Sequence, residues 1–176
     1  MGEVFTASGY KTVYAGKWHL PKPFDGMTGF EKLVGGSTYG KDMDEPVAHA
    51  CSQWLRKKPQ EPFLMVASFM NPHDICEWIR QHKGARSHAN PRRFPPAPAN
   101  MGLGVDEPEA VRFHRTSGYD TMSQAVGIAA EWLRNDVREY VHDYYRMVEA
   151  VDHHIGTVLQ ALHDAGQQVV EGAVRP

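Results

Sequence analysis

Residues 1–176 predict an α/β fold, a mostly parallel sheet flanked by helices, and three observations carry that expectation. Pro62-Phe63-Leu64-Met65-Val66-Ala67-Ser68-Phe69-Met70 is nearly continuous apolar sequence, as befits a strand covered on both faces of a parallel sheet. Thr12, Val13 and Tyr14, in a run from about Lys11 to Ala15, are the β-branched and aromatic residues a second strand prefers. Apolar residues at helical spacing lie between and beyond these runs. Val47, Ala50, Cys51, Trp54 and Leu55 form one stripe, and Val141, Tyr144, Val148, Val151, Ile155, Val158 and Leu162 form a longer one. The two strands are expected to run parallel, with the long helix, from about Val137 to Ala165, over one face of their sheet.

Taken in order, Met1 to Thr6 reads as the last turns of a helix ending at Gly9, which suits positive φ. The strand from Lys11 ends at Gly16, where the backbone can bend. Lys17 and His19 are two residues apart and share one face of an extended chain, with Trp18 on the other. At the carboxyl end of a parallel strand, where open α/β sheets bind ligands, such a cation and imidazole could hold an anion. Pro21, Pro23, Gly26 and Gly29 make the next stretch a loop. Phe30 and Tyr39 are expected as buried packing residues. Asp42 or Asp44 would cap the following helix, with Pro46 in its first turn. Arg56, Lys57 and Lys58 close it as a solvated, dipole-compatible end. Cys51, on its apolar face, reads as an inert buried thiol.

Asn71-Pro72 stops the second strand and places His73 just past its carboxyl end. An imidazole titrates near neutrality, so His73 can serve as hydrogen-bond donor or as acid. Asp74 could orient His73, meet a polar substrate group, or simply close an Asx-turn. Periodicity is poor from Ile75 to about Thr121, apart from a helical turn over residues 76–80. His82, Lys83, Arg86, His88, Arg92 and Arg93 make a locally basic loop, read as solvated charges in preference to a surface for an anionic glycan, and stiffened by prolines from Pro91 to Pro98. Met122, Ala125, Val126, Ala129, Trp132 and Leu133 predict a short helix. The long helix follows, with His153 and His154 partly exposed and Gly166 as its stop. Glycine costs about 1 kcal/mol against alanine inside a helix, so Gly156 predicts close packing against a neighbour.

Bulk properties exclude several classes. A formal net charge of −2 supplies no field for nucleic acid. No run is long and apolar enough to span a bilayer, and the first residues lack the basic-then-apolar layout of a signal peptide. Met1 to Thr6 formally fits a myristoylation pattern, and the helical reading of those residues is preferred. The two cysteines allow one disulfide at most and have no metal-ligand spacing. His82, His88 and His114 do not form a zinc set.

Three blocks resemble the sulfatase family of the alkaline-phosphatase-like superfamily. Gly9, Tyr10, Thr12, Gly16, Lys17, Trp18, His19 and Leu20 match its signature Gly-Tyr-x-Thr-x-x-x-Gly-Lys-Trp-His-Leu. Ser68, Phe69, Pro72 and His73 match the end of an apolar strand followed by Pro-His. Tyr144, Val148, Asp152, Gly156 and Leu159 match a helical pattern. The resemblance implies a partial sulfatase catalytic domain over residues 1–166, with a divergent tail over 167–176. It implies that Lys17 contacts sulfate, that His19 supports a formylglycine nucleophile, and that His73 binds sulfate and protonates the leaving oxygen. It also implies calcium as cofactor and a small-molecule or glycan sulfate ester as substrate.

Other family features are not found. Cys51 is followed by Ser52-Gln53-Trp54 and Cys76 by Glu77-Trp78-Ile79, so neither begins the Cys-x-Pro-x-Arg signature that yields formylglycine. The aspartates that precede that signature and bind calcium are absent, as is the later Ser-Asp-His-Gly strand end. Residues 1–176 are therefore expected to be an internal piece of a sulfatase, inactive alone. The rival readings are a phosphonate or phosphate monoester hydrolase relative, and a non-catalytic anion- or partner-binding remnant. The sequence assigns neither a compartment nor an oligomeric state.

Overall fold

The computed structural model describes residues 1–19, 23–36, 39–81, 91–101, 106–116 and 132–167. Its elements are helix α1 (Gly2–Ala7), strand β1 (Lys11–Lys17), strand β2 (Glu31–Gly36), helix α2 (Gly40–Arg56), strand β3 (Phe63–Ser68), helices α3 (Ile75–Gln81) and α4 (Glu109–Thr116), and helix α5 (Arg134–Asp164). Short 3₁₀ turns occupy Phe24–Gly26 and Pro91–Arg93. The chain divides into two compact units, Met1–Asn71 with Ala150–Pro176, and Pro72–Glu149. Among the described residues no helix is long and apolar enough to cross a membrane.

The first unit is built on a three-stranded sheet of order β2-β1-β3, parallel throughout. The expected pairing is therefore present: β1 and β3 lie side by side in unbroken register from Lys11↔Phe63 to Gly16↔Ser68. β2 pairs on the other side of β1 with a bulge between Tyr14 and Ala15. β2 carries no strand signal of its own. Its Glu31-Lys32-Leu33-Val34-Gly35-Gly36 sequence has no clean alternation and two glycines, and only pairing with β1 makes it a strand.

Both faces of β1 are covered. On one, Val13 and Ala15, each 0% exposed, pack under Met43, Val47, Cys51, Trp54 and Leu55 of α2. Val158 and Ala161, from the part of α5 that belongs to this unit, join them, so the long helix covers that face as expected. On the other face Tyr14 meets Trp18, Phe24 and Phe30 edge-on, with ring centroids 5.2, 6.1 and 5.8 Å away. Thr12 donates its hydroxyl to the Gly29 carbonyl and shares a 2.9 Å hydrogen bond with Thr6 Oγ1. That ties α1 and the Gly29 turn to the sheet.

Helix ends follow their sequence signals where glycine sets them. Gly9 has φ +85°, with Gly9 N–H donating to the Thr6 carbonyl and Tyr10 N–H to that of Phe5. The rings of Phe5 and Tyr10 are 5.3 Å apart, which completes a Schellman motif with its apolar contact. Gly166 (φ +73°) ends α5 in the same way, through Gly166 N–H to His163 O and Gln167 N–H to Leu162 O.

Several expectations are corrected. Neither Asp42 nor Asp44 caps α2. The helix starts at Gly40 with Tyr39 before it and no side-chain cap, so Pro46 falls in the second turn, not the first. Tyr39 is 43% exposed, with the Lys41 ammonium 6.0 Å from its ring centroid, and is not a core residue. Gly156 has nothing within 4 Å of where a Cβ would stand, so no close neighbour accounts for it. The predicted stripe of α5 is only partly covered: Tyr144, Val148 and Ile155 are 37%, 39% and 40% exposed. The helix expected over residues 122–133 lies outside the described residues except for Trp132 and Leu133, which are not helical. α4 was not foreseen.

The second unit is held by an aromatic and polar cluster. Trp78 of α3 is buried and meets the rings of Trp132 and Tyr140 at 5.8 and 5.6 Å. Its indole N–H donates to Asp143, whose other oxygen lies 2.9 Å from His142 Nδ1. Arg138 donates from Nε to the Pro95 carbonyl (2.8 Å) and from its guanidinium to that of Phe94 (2.9 Å).

Candidate functional site

Lys17 is the last residue of β1 and pairs with Gly36 of β2. Gly16, just before it, does not end the strand. It has φ +108°, and a Cβ there would stand 1.9 Å from the Ser68 carbonyl oxygen of β3. Glycine is thus what lets β1 and β3 stay paired up to their carboxyl ends. The Tyr14 hydroxyl donates to the Lys17 carbonyl, and Trp18 packs on Tyr14 and Phe24. The aromatic cluster therefore holds the backbone at Lys17 and Trp18. Lys17 is half-buried and His19 exposed, as suits a cation and an imidazole presented to a solute.

The carboxyl end of β3 is fixed differently. Asp44 of α2 is 1% exposed. Its Oδ1 accepts from Met70 N–H at 2.6 Å and its Oδ2 from Asn71 N–H at 3.0 Å. The helix can approach this turn because Gly40 has no side chain: a Cβ there would lie 2.5 Å from Asn71 Nδ2 and 2.8 Å from Asp44 Oδ2. Asn71 Oδ1 is buried with no hydrogen-bond partner among the described residues. Sequence reasoning missed this role for Asp44. The two ends of the interaction are 26 and 27 residues apart, and no local spacing marks it.

His73 and Asp74 belong to the second unit. Pro72 to Asp74 form the turn that opens α3, with Ile75 N–H donating to Pro72 O (3.2 Å) and Cys76 N–H to His73 O (3.1 Å). His73 is exposed on this turn and Asp74 is 8% exposed. The structure thus brings together the carboxyl ends of β1 and β3, the first with Lys17 on it and the second five residues before His73. Lys17 and His19 fall in one unit and His73 and Asp74 in the other.

The thiols differ as the sequence suggested for Cys51. Cys51 is 0% exposed and burial pushes its thiol up to about 11. The folded protein disfavours the thiolate, so this stabilising term is complete below the ordinary thiol value of 9.0. It is lost as pH rises toward 11, because the unfolded chain releases the proton first. Cys76 is exposed. Titrating the native protein with a thiol reagent near pH 8 should therefore modify Cys76 alone. Cys51 should react only on unfolding, and Cys51→Val should blunt the loss of stability between pH 9 and 11.

With this geometry in hand, the chain can be set beside known proteins. The family model described as Sulfatase matches residues 1–168. A Delta 4,5-hexuronate-2-O-sulfatase of Bacteroides thetaiotaomicron is 27% identical, over 97% of this chain and 37% of the relative. An arylsulfatase of Klebsiella aerogenes is 24% identical, over 95% of this chain and 44% of the relative. The structure of a 2-O GAG sulfatase superposes with a TM-score of 0.69 at 24% identity, over 94% of this chain and 37% of that one. The chain thus spans less than half the length of these curated relatives.

Calcium takes six to eight oxygen ligands. Among the described residues no group of three or more His, Cys, Asp or Glu side chains gathers, and the buried carboxylate of Asp44 is occupied by main-chain amides. By themselves the described side chains do not make up such a ligand set.

Proposed function

The chain belongs to the sulfatase family, and from that premise we propose that it supplies the sulfate-handling strand ends of a sulfuric ester hydrolase. Lys17 neutralises charge that develops on the sulfuryl oxygens. Two unit charges about 4 Å apart at an effective dielectric near 20 interact by roughly 4 kcal/mol before desolvation. His19 supports the nucleophile. His73 binds the sulfate and protonates the departing oxygen, with Asp74 beside it on the same turn. The observation that carries this reading is the in-register parallel pairing of β1 and β3. It brings the end of the strand bearing Lys17 beside the end of the strand that leads to His73, where open α/β sheets take their ligands. The substrate is a sulfate ester. The relative named for Delta 4,5-hexuronate 2-O-sulfate makes a glycan of that class the first to try.

No described residue is placed as the nucleophile: Cys51 is buried with a raised thiol pKa, and Cys76 lacks the sequence context of the formylglycine precursor. Losing a nucleophile costs on the order of 10⁶-fold in kcat in a well-studied hydrolase. Residues 1–176 alone should therefore give no measurable turnover of an aryl sulfate with calcium present. Turnover should appear when they are joined to the segments of a relative that carry the nucleophile, the calcium-binding aspartates and the Ser-Asp-His-Gly strand end. Turnover by residues 1–176 alone that disappears on Lys17→Ala would contradict this division of labour.

A further inference from the structure

We propose that Asp44 is a positioning residue for the turn that carries His73, an inference that rests on the sulfate-binding role proposed for that imidazole. β3 ends at Ser68, so the amides of Met70 and Asn71 lie beyond its ladder and need other partners. Both oxygens of one carboxylate take them, at 2.6 and 3.0 Å, from a side chain only 1% exposed. Hydrogen bonds to a charged, dehydrated acceptor are stronger than neutral ones. A pair on consecutive amides fixes the direction of the peptide as well as its place. Gly40 adds a steric constraint, because the absence of a Cβ there lets the Asn71 side-chain carboxamide rest against the first turn of α2. The next residue, Pro72, has its φ set by the ring, and the one after it is His73. The chain is thus held at Met70 and Asn71 and stiffened at Pro72, immediately before the imidazole.

A carboxylate with no such duty would not occupy this place. Asp44 lies in the second turn of α2, where it caps nothing, and burying a charge is costly unless hydrogen bonds compensate. Asp44→Asn keeps the volume and one acceptor, but turns an N–H toward one of the two donors. It should release one amide and loosen the turn without emptying the core.

The test is nuclear magnetic resonance on residues 1–176, wild type and Asp44→Asn. In the wild type the Met70 and Asn71 amides should be protected from solvent exchange although they lie outside the strand. Exchange at the unprotected rate would overturn the proposal without any variant, and so would decide it if Asp44→Asn failed to fold. In the variant those two amides should exchange at least tenfold faster, and the ring resonances of His73 should move. The Val13 and Ala15 amides should stay protected, which reports an intact sheet. Asp44→Glu, which keeps both acceptors, should restore part of the protection. A folded variant with an unchanged His73 ring signal contradicts the proposal. If inorganic sulfate leaves the wild-type His73 signal unmoved, the sulfate role fails, while the exchange and ring readouts still decide whether Asp44 sets the turn.

Discussion

Gly16→Ala should prevent the sheet from forming as it stands. The added methyl would sit 1.9 Å from the Ser68 carbonyl oxygen and 2.8 Å from its carbon, both backbone atoms that cannot rotate away. The residue also holds φ +108°, which an alanine reaches only with strain. Strain of this kind costs about 1–3 kcal/mol. Separating β1 from β3 adds to that, because Val13 and Ala15 would lose the packing of the core between the strands and α2. Total stabilities of single domains are about 5–15 kcal/mol, so the loss should be a large fraction of the whole. It should appear as little soluble protein, or as a urea midpoint far below wild type. Gly9→Ala is the comparison: its φ is +85° but no atom lies within 4 Å of the added methyl. It should cost about 1 kcal/mol, the ordinary penalty for a non-glycine residue in the left-handed region.

Lys17→Ala should act on ligand binding and spare stability. Lys17 is half-buried, makes no ion pair among the described residues, and projects from a backbone fixed by Tyr14 and Trp18. Its removal leaves the aromatic cluster and the core untouched, and exposed or half-exposed substitutions away from packing usually change stability by less than about 0.5 kcal/mol. The charge it presents to a dianion is lost entirely. Even after screening by solvent, a weakening of sulfate binding by at least about tenfold is expected, equivalent to about 1.4 kcal/mol. Lys17→Arg keeps the charge but changes its shape from a point to a planar fork, and should retain most of the affinity.

These two residues mark what could be read from the chain. The strands were legible because β1 and β3 carry their own signals, β-branched residues in one and an apolar run in the other. Their parallel pairing followed from those runs, but the end of β1 did not: the strand continues through Gly16, where a stop was expected, to Lys17. β2 was not legible, because Gly35 and Gly36 depress strand propensity and the pairing that stabilises it is supplied by β1. The start of α2 was misplaced for a related reason. Asp42 and Asp44 look like caps, but Asp44 is drawn inside to bind amides of residues far along the chain, and tertiary contact outweighed local preference. Gly16 was read as a bend. Its true constraint, a neighbouring strand's carbonyl, has no local signature.

The most direct test of the central claim, that the strand ends of β1 and β3 serve one sulfate, is a titration of residues 1–176 with sodium sulfate at constant ionic strength. It is followed through the ring signals of His19 and His73 and the side chain of Lys17. The account predicts that all three move along one saturating curve, and that Lys17→Ala shifts the curve for both histidines to at least about tenfold higher sulfate. Histidine signals that move with separate midpoints, or a His73 curve indifferent to Lys17→Ala, would contradict it.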